Sequence, residues 1–308
     1  MYAIEVEHVT KTFDGHVAVD DLSLRVPVGS VYGFIGPNGS GKTTTLRMIA
    51  RILYPDRGRV AVLGSDDHEA ASDRVSYLPE ERGLYRQMKV VDVLRFFARL
   101  KGFSASRAEI QRWLERLDLA KWGQQKVEAL SKGMSQKVQF IATVIAEPDL
   151  LLLDEPFSGL DPINAEVMRE LVLEQVRRGA TVLLSTHDMA MAENLCDTIL
   201  MIHRGKKVLD GTLRQIQEDH GRDVLRVRLS GPPQARQKLS ALPGVMQVTD
   251  FGNVQELRTA PDADRQNILA QLMALGNVEH FEVASPSLHD IFLRIAGPAP
   301  SASPAPGV

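Results

Sequence analysis

Residues 34–50, FIGPNGSGKTTTLRMIA, constrain the fold more than any other stretch of the chain. Gly36, Pro37, Asn38, Gly39, Ser40, Gly41, Lys42 and Thr43 fit G-x-x-x-x-G-K-[ST] without a mismatch, and Thr44 follows. The three glycines reach conformations closed to residues with a Cβ, so successive backbone N–H groups can turn inward around an anion. The apolar run Val31–Ile35 in front predicts a buried strand. Behind it, Leu46, Ile49, Ala50 and Leu53 recur at helical spacing. The loop therefore opens a helix whose N-terminus favours negative charge. Lys42 is placed to neutralise β- and γ-phosphates and the Thr43 hydroxyl to hold Mg²⁺, so the stretch predicts a nucleoside triphosphate site.

Composition narrows what surrounds that site. The 308 residues allow two domains, and 44% hydrophobic with 24% charged residues is the balance of a soluble globular chain. A net charge of −3 gives no reason to expect a nucleic-acid partner. The single cysteine, Cys196, excludes an intrachain disulfide framework and suits a reducing cytoplasm, where it reads as a small buried hydrophobe. The start, MYAIEVEHVT, carries two glutamates and no long apolar core, so no signal peptide is expected. Leu150–Leu153, the most apolar stretch, is far too short to span a bilayer, so any membrane role has to run through a partner.

Residues 2–33 alternate polar and apolar around turn signals at Asp14–Gly15 and Pro27–Gly29, which predicts antiparallel strands. Phe13, just before the first turn, reads equally as core packing or as an aromatic plate against a nucleotide base. Short strands follow at Gly58–Leu63 and Val75–Leu78, then two helices between Val90 and Leu119. Ser131 is placed to cap a helix with Met134, Val138, Ile141 and Ile145 on one face. Four leucines, 150–153, then lead into Asp154–Glu155. Leucines without alternation suit a parallel strand covered on both faces. At the end of such a strand beside a phosphate loop, Asp154 is suited to the water shell of Mg²⁺ and Glu155 to orienting or deprotonating the attacking water. Thr181–Ser185 predicts another buried strand, ending in Thr186–His187–Asp188, where His187 is either a plain capping residue or a hydrogen-bond donor to a γ-phosphate or to the attacking water. Strands Ile199–His203 and Lys206–Leu209 and helix Leu213–Glu218 are expected to close the first domain. The pattern of residues 223–295 is strand, helix (Ala235–Leu242), two strands, helix, strand, helix. That is a small α+β unit, with a ferredoxin-like arrangement as one candidate. The Pro/Ala/Ser-rich tail 297–308 is expected to be disordered.

With these stretches in place, residues 3–215 resemble the ATP-binding subunit of an ATP-binding cassette transporter. The resemblance implies an α/β P-loop NTPase fold with a mixed, mainly parallel core sheet, an antiparallel β subdomain and a helical subdomain near 85–147. With the change of composition beyond it, the first domain is expected at 1–221 and the accessory domain at 222–296. By the same resemblance Phe13 stacks on adenine and Gly36–Thr44 bind the phosphates of ATP. Leu130–Met134 stand as the signature, with Ser131 and Gly133 acting in trans. Asp154 and Glu155 are the Mg²⁺ aspartate and the catalytic glutamate. Ser158–Asp161 match the D-loop, and His187 the switch histidine, which acts with Glu155 and Lys42. The implied partners are transmembrane permease subunits and a second ATP-binding subunit, with a homodimer the expected form. The implied location is the inner face of the cell membrane, reached through the permease.

Two positions depart from the family pattern. Glu80 stands where the glutamine loop has its Gln; it keeps an oxygen for Mg²⁺ or water but adds negative charge near the phosphates. In the signature, LSKGM, Lys132 replaces a glycine and Met134 a glutamine; Lys132 either adds a cation or points to solvent. Both departures, with the closing PSLHDIFL (286–293), resemble a subgroup serving multi-span export permeases. The competing readings are a soluble cassette ATPase acting on ribosomes or DNA, and a phosphate-loop kinase. The first usually carries two cassettes or a long coiled coil, and no sustained heptads occur here. The second has no use for a signature sequence.

Overall fold

The computed structural model describes residues 1–66, 72–81, 83–220, 224–231, 235, 238–260 and 262–296. The chain divides into two compact units, Met1–Thr212 and Leu213–Val308.

The first unit starts with a long hairpin, β1 (Tyr2–Phe13) and β2 (His16–Pro27), followed by β3 (Val31–Ile35), α1 (Lys42–Ile49), β4 (Arg57–Val62) and β5 (Val75–Leu78). The strands β2–β1–β4 make an antiparallel sheet, as the period-2 alternation requires: Ile4, Val6, Leu22 and Leu24 are all buried. Next come α2 (Val90–Leu100), α3 (Arg107–Arg116) and α4 (Lys132–Val144), which form the expected helical segment. The remaining elements are β6 (Leu150–Asp154), α5 (Pro162–Arg177), β7 (Thr181–Thr186), α6 (Met189–Leu195), β8 (Thr198–His203) and β9 (Lys206–Gly211). Sequence periodicity does not show α5. Its start is nevertheless signalled locally, by Asp161, whose side chain accepts from Asn164 N, and by Pro162 in the first helical turn.

The core sheet runs β5–β6–β7–β3–β8–β9, parallel except for β8–β9. Every residue of β3, β6 and β7 is buried, which explains why these strands read as apolar runs without alternation. This strand order sets β3, β6 and β7 side by side, with Ile35 opposite Thr186 and Asp154 opposite Ser185. The loops leaving their C-terminal ends consequently share one edge of the sheet, the usual ligand edge of an open α/β sheet.

The second unit contains α7 (Leu213–Asp219), β10 (Val224–Ser230), β11 (Val245–Asp250), β12 (Gln255–Thr259), α8 (Arg265–Leu275), β13 (Asn277–Ala284) and α9 (Leu288–Ala296). Helix α7 thus goes with this unit and not, as the sequence reading had it, with the first. Its contacts explain why: Ile216 is buried, Gln217 donates to Pro286 O, and Arg294 donates to the carbonyl of His220, the residue directly after the helix. The sheet is antiparallel in the order β11–β12–β10–β13, with the first and third strands in the centre, as a split βαβ arrangement has them. Leu225, Val227, Leu229 and Leu257 pack on Ile268 and Leu272 as a separate core. Of the expected helix 235–242, residues 236–237 lie outside the described residues, and Leu239–Ala241 form a 3₁₀ turn. The tail 297–308 also lies outside them.

Candidate functional site

The loop 36–43 links β3 to α1 at the shared edge. Two glycines are required by geometry. Gly41, which precedes the first residue of α1, has φ 110°, and a Cβ there would stand 2.5 Å from Ala18 O. At Gly36 a Cβ would meet Ile202 O at 2.3 Å. The loop is anchored from outside by Gly36 N donating to Thr186 O (3.3 Å) and Gly205 N donating to Ser40 O (2.9 Å). It lines a cavity of about 250 Å³ together with Ala18, Glu80 and Glu155.

Lys42 is 5% exposed, and its ammonium donates to Gly36 O (2.7 Å) and Pro37 O (3.2 Å). It also lies 3.5 Å from Glu155 Oε1. Glu155 is equally buried and adopts φ 49°, a left-handed conformation that turns the chain sharply at the end of β6. Its backbone N donates to Ser185 O and to Ser185 Oγ. Its Oε2 lies 3.0 Å from His187 Nδ1, while Oε1 accepts no hydrogen bond. A buried carboxylate oxygen with a free lone pair, held by a histidine on one side and facing a lysine on the other, is arranged to accept a proton.

Asp154 is 1% exposed. Thr43 Oγ1 donates to its Oδ1 at 3.2 Å, Ser185 Oγ to the same oxygen at 2.5 Å, and the Tyr77 hydroxyl to Oδ2 at 3.1 Å. Burial, and then the charge of Asp154, push the Tyr77 phenol up to about 12. Thr43 and Asp154 offer hard oxygen donors in one buried place. Among the described residues no group of three or more His, Cys, Asp or Glu forms a complete metal cage. That donor set fits Mg²⁺, which keeps several waters and takes one or two protein oxygens beside substrate phosphates.

The other predicted residues are less tightly gathered. Glu80 lines the cavity, and its loop is pinned by Gln139 of α4, whose amide donates to Pro79 O (3.1 Å) and Glu81 O (3.3 Å). Phe13 sits at the hairpin tip, 42% exposed, outside the cavity lining, with the Lys11 ammonium 5.5 Å from its ring centroid. Ser131 caps α4 by accepting from Met134 N at 3.3 Å. Neither Ser131 nor Gly133 lines the phosphate-loop cavity of the same chain. The Lys132 side chain folds over Gly159 of its own chain: a Cβ on that glycine would be 2.3 Å from Nζ. Sequence reasoning missed Tyr77, Ser185 and Gln139. The only available signal was that each is a polar residue inside an apolar element.

Comparison with known proteins agrees with this geometry. The family model described as ABC transporter matches residues 19–158, and that of the DrrA1-3-like ATP-binding protein C-terminal domain matches 211–296. The chain is 40% identical to the uncharacterized ABC transporter ATP-binding protein YhaQ of Bacillus subtilis, over 96% of this chain and 98% of that one. It is 32% identical to the Nod factor export ATP-binding protein I of Burkholderia orbicola, over 96% and 97%. A solved ATP-binding subunit of an ABC transporter superposes with TM-score 0.65 at 33% identity, covering 71% of this chain and 93% of that one.

Proposed function

The chain belongs to the ATP-binding subunits of ABC transporters, a family that hydrolyses ATP, and from that premise we propose that it powers export through a separate membrane permease. Export is supported by the similarity to the Nod factor export protein. No helix among the described residues is long and apolar enough to cross a membrane. As the ATP-binding subunit of a separate permease, the chain is assigned to the inner membrane face.

In this reading the loop 36–44 binds the phosphates, and Lys42 exchanges its carbonyl partners for the β- and γ-phosphates. Phe13 stacks on the adenine. Thr43 and Asp154, with Glu80 in the cavity lining, would hold Mg²⁺, which would neutralise charge building up on the phosphate oxygens. Glu155 takes the proton of the attacking water on Oε1. His187 restrains Oε2. A neutral ring bonded through Nδ1–H presents Nε2 as an acceptor, so donation from Nε2 to the γ-phosphate requires the imidazolium or release of Glu155. Because Ser131 and Gly133 lie outside their own chain's cavity, they are assigned to the ATP of a second copy, in a head-to-tail dimer closed by ATP. The two units correspond to an ATP-binding domain and an accessory domain, joined near Thr212.

The observation that carries the reading is the convergence on Glu155: Lys42 Nζ at 3.5 Å, His187 Nδ1 at 3.0 Å, and a buried oxygen without a hydrogen bond beside a phosphate loop. The partner is tested by detergent extraction of the tagged chain from its own cell, with mass spectrometry of what accompanies it. A multi-span membrane protein is expected. Recovery of ribosomes or nucleic acid in its place would overturn the assignment to a permease.

A further inference from the structure

Asp154 is buried, yet among the described residues no lysine, arginine or histidine forms an ion pair with it. Three hydroxyls stabilise its charge, and they are unequally shared. Oδ1 has two donors, Thr43 and Ser185; Oδ2 has one, the phenol of Tyr77. When the Thr43 hydroxyl turns to a metal ion, Oδ1 retains Ser185. Oδ2 retains only Tyr77. A carboxylate held at one oxygen is free to swivel about its Cβ–Cγ bond, and held at both it is not. We propose that Tyr77 is a positioning residue for the metal, fixing the plane of the Asp154 carboxylate through its hydroxyl. The inference rests on the assignment of Asp154 to Mg²⁺.

The placement of Tyr77 supports this. It lies on β5 opposite Leu152 of β6, so the parallel register puts it on the same sheet face as Asp154, two residues further along. The phenol reaches diagonally across the strand pair to the carboxylate. The ring itself forms part of the wall of a second cavity, about 290 Å³, with Leu84, Phe97 and Gln139. An alanine there would enlarge that cavity, whereas phenylalanine removes the hydroxyl alone.

The test compares wild type, Tyr77→Phe and Asp154→Asn as full-length chains. Mn²⁺ is the probe, its free fraction read by electron paramagnetic resonance in the presence of saturating ADP. Outer-sphere partners typically contribute 10- to 100-fold to metal affinity, so Tyr77→Phe is expected to weaken Mn²⁺ binding roughly 10-fold. ADP affinity in EDTA should not change. Half-saturating Mg²⁺ for turnover should rise in parallel, with turnover largely restored at high Mg²⁺. If Tyr77→Phe binds Mn²⁺ within twofold of wild type while Asp154→Asn does not, the positioning role is refuted. If neither substitution alters Mn²⁺ binding, the metal assignment of Asp154 fails and takes the inference with it. Loss of ADP affinity in EDTA for Tyr77→Phe would assign the residue to the fold in general, and equally refute the proposal.

Discussion

Glu155→Gln separates binding from chemistry with little structural disturbance. Glutamine has the same shape as glutamate, and the backbone bonds of residue 155 to Ser185 remain. Lys42 loses a carboxylate at 3.5 Å but keeps Gly36 O and Pro37 O, so no buried cation is stranded. At an effective dielectric of 20 the lost attraction is about 5 kcal/mol, and it is offset in large part because a buried carboxylate no longer has to be desolvated. The fold should therefore survive. The effect on rate is of a different kind. A positioned general base contributes typically 10²- to 10⁴-fold, or about 3–5 kcal/mol of barrier, and an amide oxygen is too weak a base to supply it. ATP affinity should hold or rise, since a negative charge beside the triphosphate is removed. The assay is phosphate release together with fluorescent-nucleotide binding. Light scattering on a sizing column adds the oligomeric state: a ligand that binds only the closed dimer favours it by its own binding free energy. The variant should run as a dimer in Mg-ATP and as a monomer in ADP, and Ser131→Arg added to it should abolish the dimer. Turnover within tenfold of wild type in the variant would refute Glu155 as the base. A monomer in saturating Mg-ATP with hydrolysis intact would sink the shared-site dimer as well.

Lys42→Ala removes a buried cation from the loop and leaves Glu155 Oε1 buried without its ion-pair partner, so ATP affinity should fall at least about tenfold and hydrolysis become undetectable. Unchanged affinity by titration calorimetry would exclude the lysine from the site. A chain ending at Thr212 should fold and bind ATP, because every nucleotide-site residue precedes that point; an insoluble or nonbinding product on a sizing column and in a binding assay would contradict it. Burial, reinforced by the charge of Asp197, pushes the Cys196 thiol up to about 12. The native protein should accordingly leave a thiol-specific chromophore unreacted near pH 8 and react fully in guanidinium. Rapid native labelling would show that β3 and α6 open there.

Some of this was legible in the sequence because its causes are local. The phosphate loop is a run of eight residues, and Gly41 has to be glycine because of its own φ and the nearby carbonyl of Ala18. The four leucines of β6 announce a strand covered on both faces, and Ser131 caps α4 through a hydroxyl three residues from its donor. Helix α5 was overlooked because its apolar positions do not make a clean stripe; the capping Asp161 and Pro162 were the signal to use. The boundary was placed too late because α7 is patterned like any amphipathic helix, and only its buried Ile216 and its bonds to residues near 286–294 assign it.

By itself, the order of motifs along the chain determined the kind of site: a phosphate cradle, a lysine, an acidic pair and a histidine, each at the end of a predicted strand. Periodicity and backbone preference act over a few residues, so such elements can be read one at a time. Only the tertiary structure decided which groups meet. The order β5–β6–β7–β3 brings Tyr77, Asp154, Ser185 and Thr43 within hydrogen-bond reach although they come from four separate elements. It also turns Lys132 onto Gly159 of its own chain, which the sequence left open between a cation for phosphate and a side chain in solvent. Strand order is set by burying the faces of the whole sheet at once, a cooperative free energy spread over hundreds of contacts, and no local stretch of residues contains it.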